Sequence, residues 1–212
     1  MSRLTALSVD RYKPALLLLG LFPLARWFWL GWQGELTANP MEFLTRSSGT
    51  WALVCLLVTL SVSPIRDVLN QPALVRLRRT CGLFAFFYAA LHAITWAWWD
   101  QGFVVGSMWR DVIDRPFITV GMLAFLALLV LALTSNQWAM RGLGKRWKRL
   151  HRLIYLIGAL VILHYWWHKS GKNDYAEVLV YGAVLLVLLA WRLVGPRLIA
   201  RFRPETKKAS AN

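Results

Sequence analysis

Hydropathy divides this chain into long apolar runs separated by short polar breaks. A helix needs about 20 apolar residues to cross the hydrocarbon of a bilayer. Six runs approach that length: Pro14–Trp32, Gly49–Val68, Cys81–Trp99, Phe117–Thr134, Leu153–Trp167 and Ala176–Val194. The fifth is short and borrows flanking residues, reaching 150–168. Asn39-Pro40, Gln71-Pro72, Asp114 to Pro116, Ser135-Asn136 and Gly171 to Asp174 are the breakers between them. The pattern predicts an all-α bundle of six transmembrane helices. No linker splits the chain, so residues 1–212 read as a single membrane domain, and no internal repeat is apparent.

Composition agrees. Hydrophobic residues make up 58% of the chain and Trp occurs 13 times, too apolar for an ordinary soluble domain. The N-terminal stretch has a basic start and an apolar run, but no small-residue cleavage site before Arg26, and reads as a retained first span. The net charge of +15 is distributed by topology. On one side fall Arg3, Arg11 and Lys13, then Arg66, Arg76, Arg78 and Arg79. The same side receives Arg141, Lys145, Arg146, Lys148, Arg149 and Arg152, and the tail adds Arg192, Arg197, Arg201, Arg203, Lys207 and Lys208. These are 19 against five (Arg46, Arg110, Arg115, Lys169, Lys172), with Arg26 inside a span. Basic residues favour the cytoplasmic side, so both termini are expected in the cytoplasm. This use of the charge, and the lack of any soluble nucleic-acid module, argue against nucleic acid as a partner. Most acids and tryptophans fall on the other side. Cys55 and Cys81 form no CxxC or CxxCH, which disfavours a disulfide framework and covalently attached haem.

The candidate chemistry lies in the histidines. An imidazole within hydrocarbon is costly unless it ligates, relays protons or faces other protein. By helical rise His92 sits ~17 Å beyond Cys81 and His164 ~20 Å beyond His151, in spans running the same way. Two imidazoles at one depth suit axial ligation of a b-type haem, whereas zinc would ask for more ligands. His151, in KRWKRLHR, projects ~140° away from His164 on an ideal helix. It reads as an inner-site ligand or a proton donor. His168 reads as a rim residue at the aqueous edge.

The segments RRTCGLFAFFYAALHAITW (Arg78 to Trp96) and WKRLHRLIYLIGALVILHYWW (Trp147 to Trp167), on six spans of this size, closely resemble the MsrQ (YedZ) family. These are haem-bearing membrane subunits of the bacterial periplasmic methionine-sulfoxide reductase system, within the broader ferric-reductase-like transmembrane family. The resemblance implies an inner-membrane electron-transfer subunit binding haem b and FMN. It would pass electrons from the quinone pool, or from a cytoplasmic flavin donor, to a periplasmic molybdenum-containing catalytic partner that repairs oxidised methionines. It also implies an outer haem pair, His92 with His164, and an inner pair of His151 with a residue 13 or 14 before His92. Those positions hold Arg79 and Arg78. Arginine stays protonated and cannot ligate iron.

Two further roles follow for cations. Arg26, ~18 Å into the first span by helical rise, is a candidate propionate partner. Arg78, Arg79, Arg149 and Arg152 are candidates for flavin-phosphate contacts, since guanidinium forks bind phosphate well. The rival reading is a small transporter or proton-conducting protein that uses the same histidines as a relay.

Overall fold

The computed structural model describes residues 5–171 and 173–202. Arg3, Lys172, Arg203, Lys207 and Lys208, counted above in the charge asymmetry, lie outside the described residues. Among the described residues the structure is helical and has no strand. Six segments are long and apolar enough to span a membrane: Leu7–Trp32, Pro40–Leu69, Pro72–Asp100, Pro116–Leu133, Lys145–Ser170 and Ala176–Gly195. Each coincides with one expected run.

The first span comprises α1 (Ala6–Arg11) and α2 (Lys13–Trp32). The second is α3 (Pro40–Leu69), which begins nine residues before the apolar run. Its start is set by capping: Asn39 Oδ1 accepts from the Glu42 amide at 3.2 Å, and Pro40 occupies the first turn, where no backbone donor is needed. Asn70, left-handed at φ 54°, ends it. A 3₁₀ turn (Pro72–Arg76) leads into α4 (Leu77–Thr95), whose end widens into a π-helical turn, Trp96–Asp100. A surface helix, α5 (Val105–Asp114), links it to α6 (Pro116–Leu133). Short helices α7 (Gln137–Leu143) and α8 (Lys145–Leu150) precede α9 (Leu153–Ser170), and α10 (Ala176–Phe202) is the sixth span.

Helices α3, α4, α6 and α9 form the centre, with α10 packed on α3 and α9 and α2 on α4. Their inner faces build an apolar core of Leu53, Leu56, Leu57, Leu60, Ala85, Leu128, Leu131, Ile154, Ile157 and Leu185. Outward faces are equally apolar: Leu18, Phe28 and Leu193 are more than 70% exposed. Only lipid makes such a surface favourable. Tyr88 is fully buried and ties α4 to α2, its hydroxyl donating to the Gly20 carbonyl at 2.6 Å. Asp111 ties α5 to both neighbours, accepting from Trp96 Nε1 (2.9 Å) and Gln101 Nε2 (3.0 Å) while pairing with Arg115 (2.9 Å).

The central helices also contain a repeat that the sequence pattern did not reveal. An offset of 72 residues carries α3 and α4 onto α6 to α9: Gly49 onto Gly121, Leu56-Leu57-Val58 onto Leu128-Leu129-Val130, Ser63 onto Ser135 and His92 onto His164.

Candidate functional site

A cavity of about 700 Å³ opens between these four helices at the acidic, tryptophan-rich end of the bundle. His92 of α4 and His164 of α9 face each other inside it, with ring centres 6.2 Å apart and planes at 76°. Each imidazole is held in the same way. The Nδ1–H of His92 donates to the Thr45 carbonyl at 2.8 Å, and the Nδ1–H of His164 to the Phe117 carbonyl at 2.6 Å. Each acceptor lies 47 residues before its histidine. One turn beyond each acceptor stands a glycine on which the ring lies. A Cβ at Gly49 would be 3.1 Å from His92 Nδ1, and one at Gly121 only 2.7 Å from His164 Nδ1. The unit is thus a carbonyl, a glycine four residues on, and a histidine on the neighbouring helix, built twice by the 72-residue repeat.

Fixing Nδ1 on a carbonyl selects the tautomer that leaves Nε2 as an electron-pair donor, the usual arrangement behind a metal-bound histidine. With metal–imidazole bonds of about 2.0–2.1 Å, and about 1.1 Å from nitrogen to ring centre, two axial imidazoles have ring centres about 6.3 Å apart. The observed 6.2 Å matches that separation. The cavity lies within the ~300–1,000 Å³ range of cofactor sites. Its walls are apolar, with Leu53, Leu56, Ala89, Phe125 and Val161 among them. Among the described residues no group of three or more His, Cys, Asp or Glu side chains is placed to hold a metal ion. The donor set therefore suits a cofactor that brings its own equatorial ligands.

The other predicted residues are placed differently. His168 lines the mouth of the cavity, its ring 5.8 Å from that of Phe117, as expected of a rim residue. His151 does not line the cavity. The leucine and isoleucine core intervenes, and the helix is interrupted at His151-Arg152, so ideal-helix projection does not apply. Its ring stacks on Trp147 at 3.9 Å; its Nδ1 lies 3.2 Å from the Trp147 carbonyl and its Nε2 3.3 Å from Ser135 Oγ. Arg26 is exposed on α2 and is not among the cavity-lining residues, contrary to the role expected for it. The helix turns its neighbour Trp27 inward, where Nε1 donates to Ser47 Oγ at 3.1 Å, and this leaves Arg26 on the outer surface. The cations that do line the cavity are Arg46, Arg115 and Lys169, paired respectively with Glu42, Asp111, and Asp174 with Glu177. Arg78 is half-buried, whereas Arg79, Arg149 and Arg152 are exposed, and no hydrogen bond or ion pair among the described residues joins these four.

Sequence reasoning did not single out Thr45, Gly49, Phe117 or Gly121. The 72-residue recurrence of glycine and histidine was the signal available.

The profile of the family described as "Ferric reductase like transmembrane component" matches residues 48–162, which contain both glycines and His92 and stop two residues before His164. The chain belongs to this family. It is also similar to proteins named "Protein-methionine-sulfoxide reductase heme-binding subunit MsrQ". One from Bordetella pertussis is 63% identical over 90% of this chain and 92% of that protein. Another from Ralstonia nicotianae is 48% identical over 91% and 89%. A third, from Caulobacter vibrioides, is 46% identical over 81% of each. No solved structure matches the chain.

Proposed function

We propose that this chain is the b-type cytochrome subunit of a protein-methionine-sulfoxide reductase system, and that it carries electrons across the bacterial inner membrane to a periplasmic catalytic partner. The observation that carries the reading is the pair of imidazoles 6.2 Å apart, each with Nδ1 tied to a carbonyl. His92 and His164 would hold haem b, and bound there the haem supplies a one-electron couple. The two carbonyls keep both rings in the ligating tautomer, and stronger donation to them makes each imidazole a more basic ligand. Leu53, Leu56, Phe125 and Val161 on the walls would limit water around a haem bound there. Arg46, Arg115 and Lys169, rather than Arg26, are the cations near which propionates would lie.

Orientation follows from the charge asymmetry. With the basic loops in the cytoplasm, the cavity opens toward the periplasm. A redox protein docked there meets the cavity mouth formed by Asp100, Arg115, Lys169 and Glu177. Sulfoxide chemistry is assigned to that partner, expected to be a molybdenum protein; the described residues of this chain form membrane helices and short connections. The donor would act from the basic end, as a membrane quinol or a flavin such as FMN. The proton-relay reading is less well supported, since the buried apolar cluster that includes Leu128, Leu131, Ile154 and Ile157 lies between His151 and the histidine pair.

The test is electron delivery. The purified, haem-loaded protein, reduced anaerobically by a quinol or by reduced FMN, should be reoxidised when the periplasmic reductase and methionine sulfoxide are both supplied. Reoxidation no faster than in buffer would refute the assignment.

A further inference from the structure

Helix α5 (Val105–Asp114) carries three kinds of surface side by side. At 3.6 residues per turn, Val105, Trp109 and Ile113 fall within ~80° of one another around its axis, and Gly106, Arg110 and Asp114 span the next ~80°. Ser107, Met108, Asp111 and Val112 take up the remaining side and are buried or half-buried. The apolar flank is open to its surroundings, with Val105 78%, Trp109 66% and Ile113 61% exposed. In water such a stripe is unfavourable. The polar flank borders a recess of about 420 Å³ lined by Ser107, Arg110, Asp114 and Arg115 among others.

The apolar flank continues a surface that faces lipid. Phe103, two residues before Val105 and 56% exposed, stacks on Trp98 with ring centres 6.4 Å apart. Trp98 is itself 57% exposed, and Ile94, four residues earlier on the third span, 48%. An apolar strip therefore runs from the outer face of that span through Trp98 and Phe103 to α5. Both ends of α5 are tied to span ends. Before it, Gly102 and Phe103 adopt positive φ (55° and 57°), and the Phe103 amide donates to the Ala97 carbonyl at 2.8 Å, folding the chain back over the third span. After it, Arg115 alone leads into α6. Asp111 fastens the middle to Trp96, Gln101 and Arg115. Helix α5 thus stays at the level where the third and fourth spans leave the hydrocarbon. Tryptophan is favoured at that level, and a helix with one apolar and one polar flank is stable there.

We propose that α5 is an interfacial helix whose Val105, Trp109 and Ile113 flank, continued by Phe103 and Trp98, is seated among the glycerol groups and upper acyl chains of the leaflet at the cavity mouth. Arg110 and Asp114 remain at the level of headgroups and water. The continuation of the strip down the third span, where lipid is the neighbour, favours lipid over a protein partner on this flank. Because Asp111 on the same helix holds Arg115, a cavity-lining residue, the seat fixes the mouth at the membrane surface. The inference does not rest on the haem reading, since none of these apolar residues lines the cavity.

The full chain in phosphatidylcholine vesicles tests this by spin labelling. Cys55 and Cys81 are replaced by alanine, and one nitroxide is attached in turn to Val105→Cys, Ile113→Cys, Arg110→Cys and Asp114→Cys, all exposed positions. Oxygen concentrates in hydrocarbon and a charged nickel chelate stays in water, so the ratio of their collision rates with each label reports its surroundings. That ratio should be several-fold higher at Val105→Cys and Ile113→Cys than at Arg110→Cys and Asp114→Cys, with oxygen dominant on the apolar flank. Should the cysteine-free chain fail to fold, the native cysteines are kept and the signal of the labelled parent is subtracted. Ratios no higher on the apolar flank than on the polar one would overturn the proposal. Dominance of the nickel chelate at Val105→Cys and Ile113→Cys would overturn it too, and would leave the flank free for a protein partner.

Discussion

Adding one methyl group at each of two equivalent positions probes how the histidines are held. At Gly121 a Cβ would stand 2.7 Å from Nδ1 and 2.8 Å from Cε1 of His164; at Gly49 it would stand 3.1 and 3.2 Å from the same atoms of His92. To reach van der Waals contact at about 3.4 Å, His164 must retreat by roughly 0.7 Å and His92 by roughly 0.3 Å. His164 has little freedom to do so, because its Nδ1–H is held by the Phe117 carbonyl at 2.6 Å and its Nε2 would be committed to iron. Overpacking of this kind costs about 1–3 kcal/mol, and for Gly121→Ala the cost falls on haem binding as well as on folding. Haem affinity should drop by about 5- to 150-fold at 1.4 kcal/mol per decade, and by only a few-fold for Gly49→Ala. Weakening the Nδ1–H···O=C bond also makes the imidazole a poorer donor to ferric iron, so the midpoint potential of the retained haem should rise, more at Gly121 than at Gly49. Haem per polypeptide after purification and a redox titration of each variant measure both effects. Equal behaviour of the two variants, or a parent-like potential in Gly121→Ala, would refute the half-site argument.

Three other outcomes are expected. Asp111→Ala should lower stability by about 2–4 kcal/mol, because Trp96 Nε1, Gln101 and Arg115 lose one shared, buried acceptor; thermal unfolding reads it, and a change below 0.5 kcal/mol would show the carboxylate to be incidental. Single cysteines replacing Lys145 and Arg110 should label from the cytoplasmic and periplasmic sides respectively, and the reverse pattern would invert the direction of electron flow. His151→Ala should keep the spectrum of the His92/His164 haem while slowing reduction by the donor, since its ring lies outside the cavity; loss of that haem's low-spin signal would contradict this separation.

The six spans were legible because lipid imposes a single rule on every segment, namely enough apolar residues to cross. Only the ends moved: α3 starts at Pro40 because Asn39 caps it, a local signal that hydropathy averages away. The histidine pair was legible through depth, which helical rise alone supplies. The partners of those rings were not. Thr45 and Phe117 contribute backbone carbonyls, which any residue possesses, and Gly49 and Gly121 matter for the side chain they lack. Arg26 misled because depth was available and azimuth was not: the indole of Trp27 takes the inward direction and leaves Arg26 outside. Arg192 counted in the sequence only as one more topological charge. Its inward turn onto Ser63 depends on how α10 packs against α3, which no local pattern in α10 encodes.

The most direct measurement is the low-temperature EPR spectrum of the oxidised protein, taken together with its reduced-minus-oxidised optical spectrum, for the parent, His92→Ala and His164→Ala. The parent should show a b-type α band and a strongly anisotropic low-spin signal, because imidazole planes near 76° leave the iron's two partly filled d orbitals almost equal in energy. Each alanine variant should lose that signal. A parent whose low-spin signal survives removal of either histidine would contradict the account at its centre.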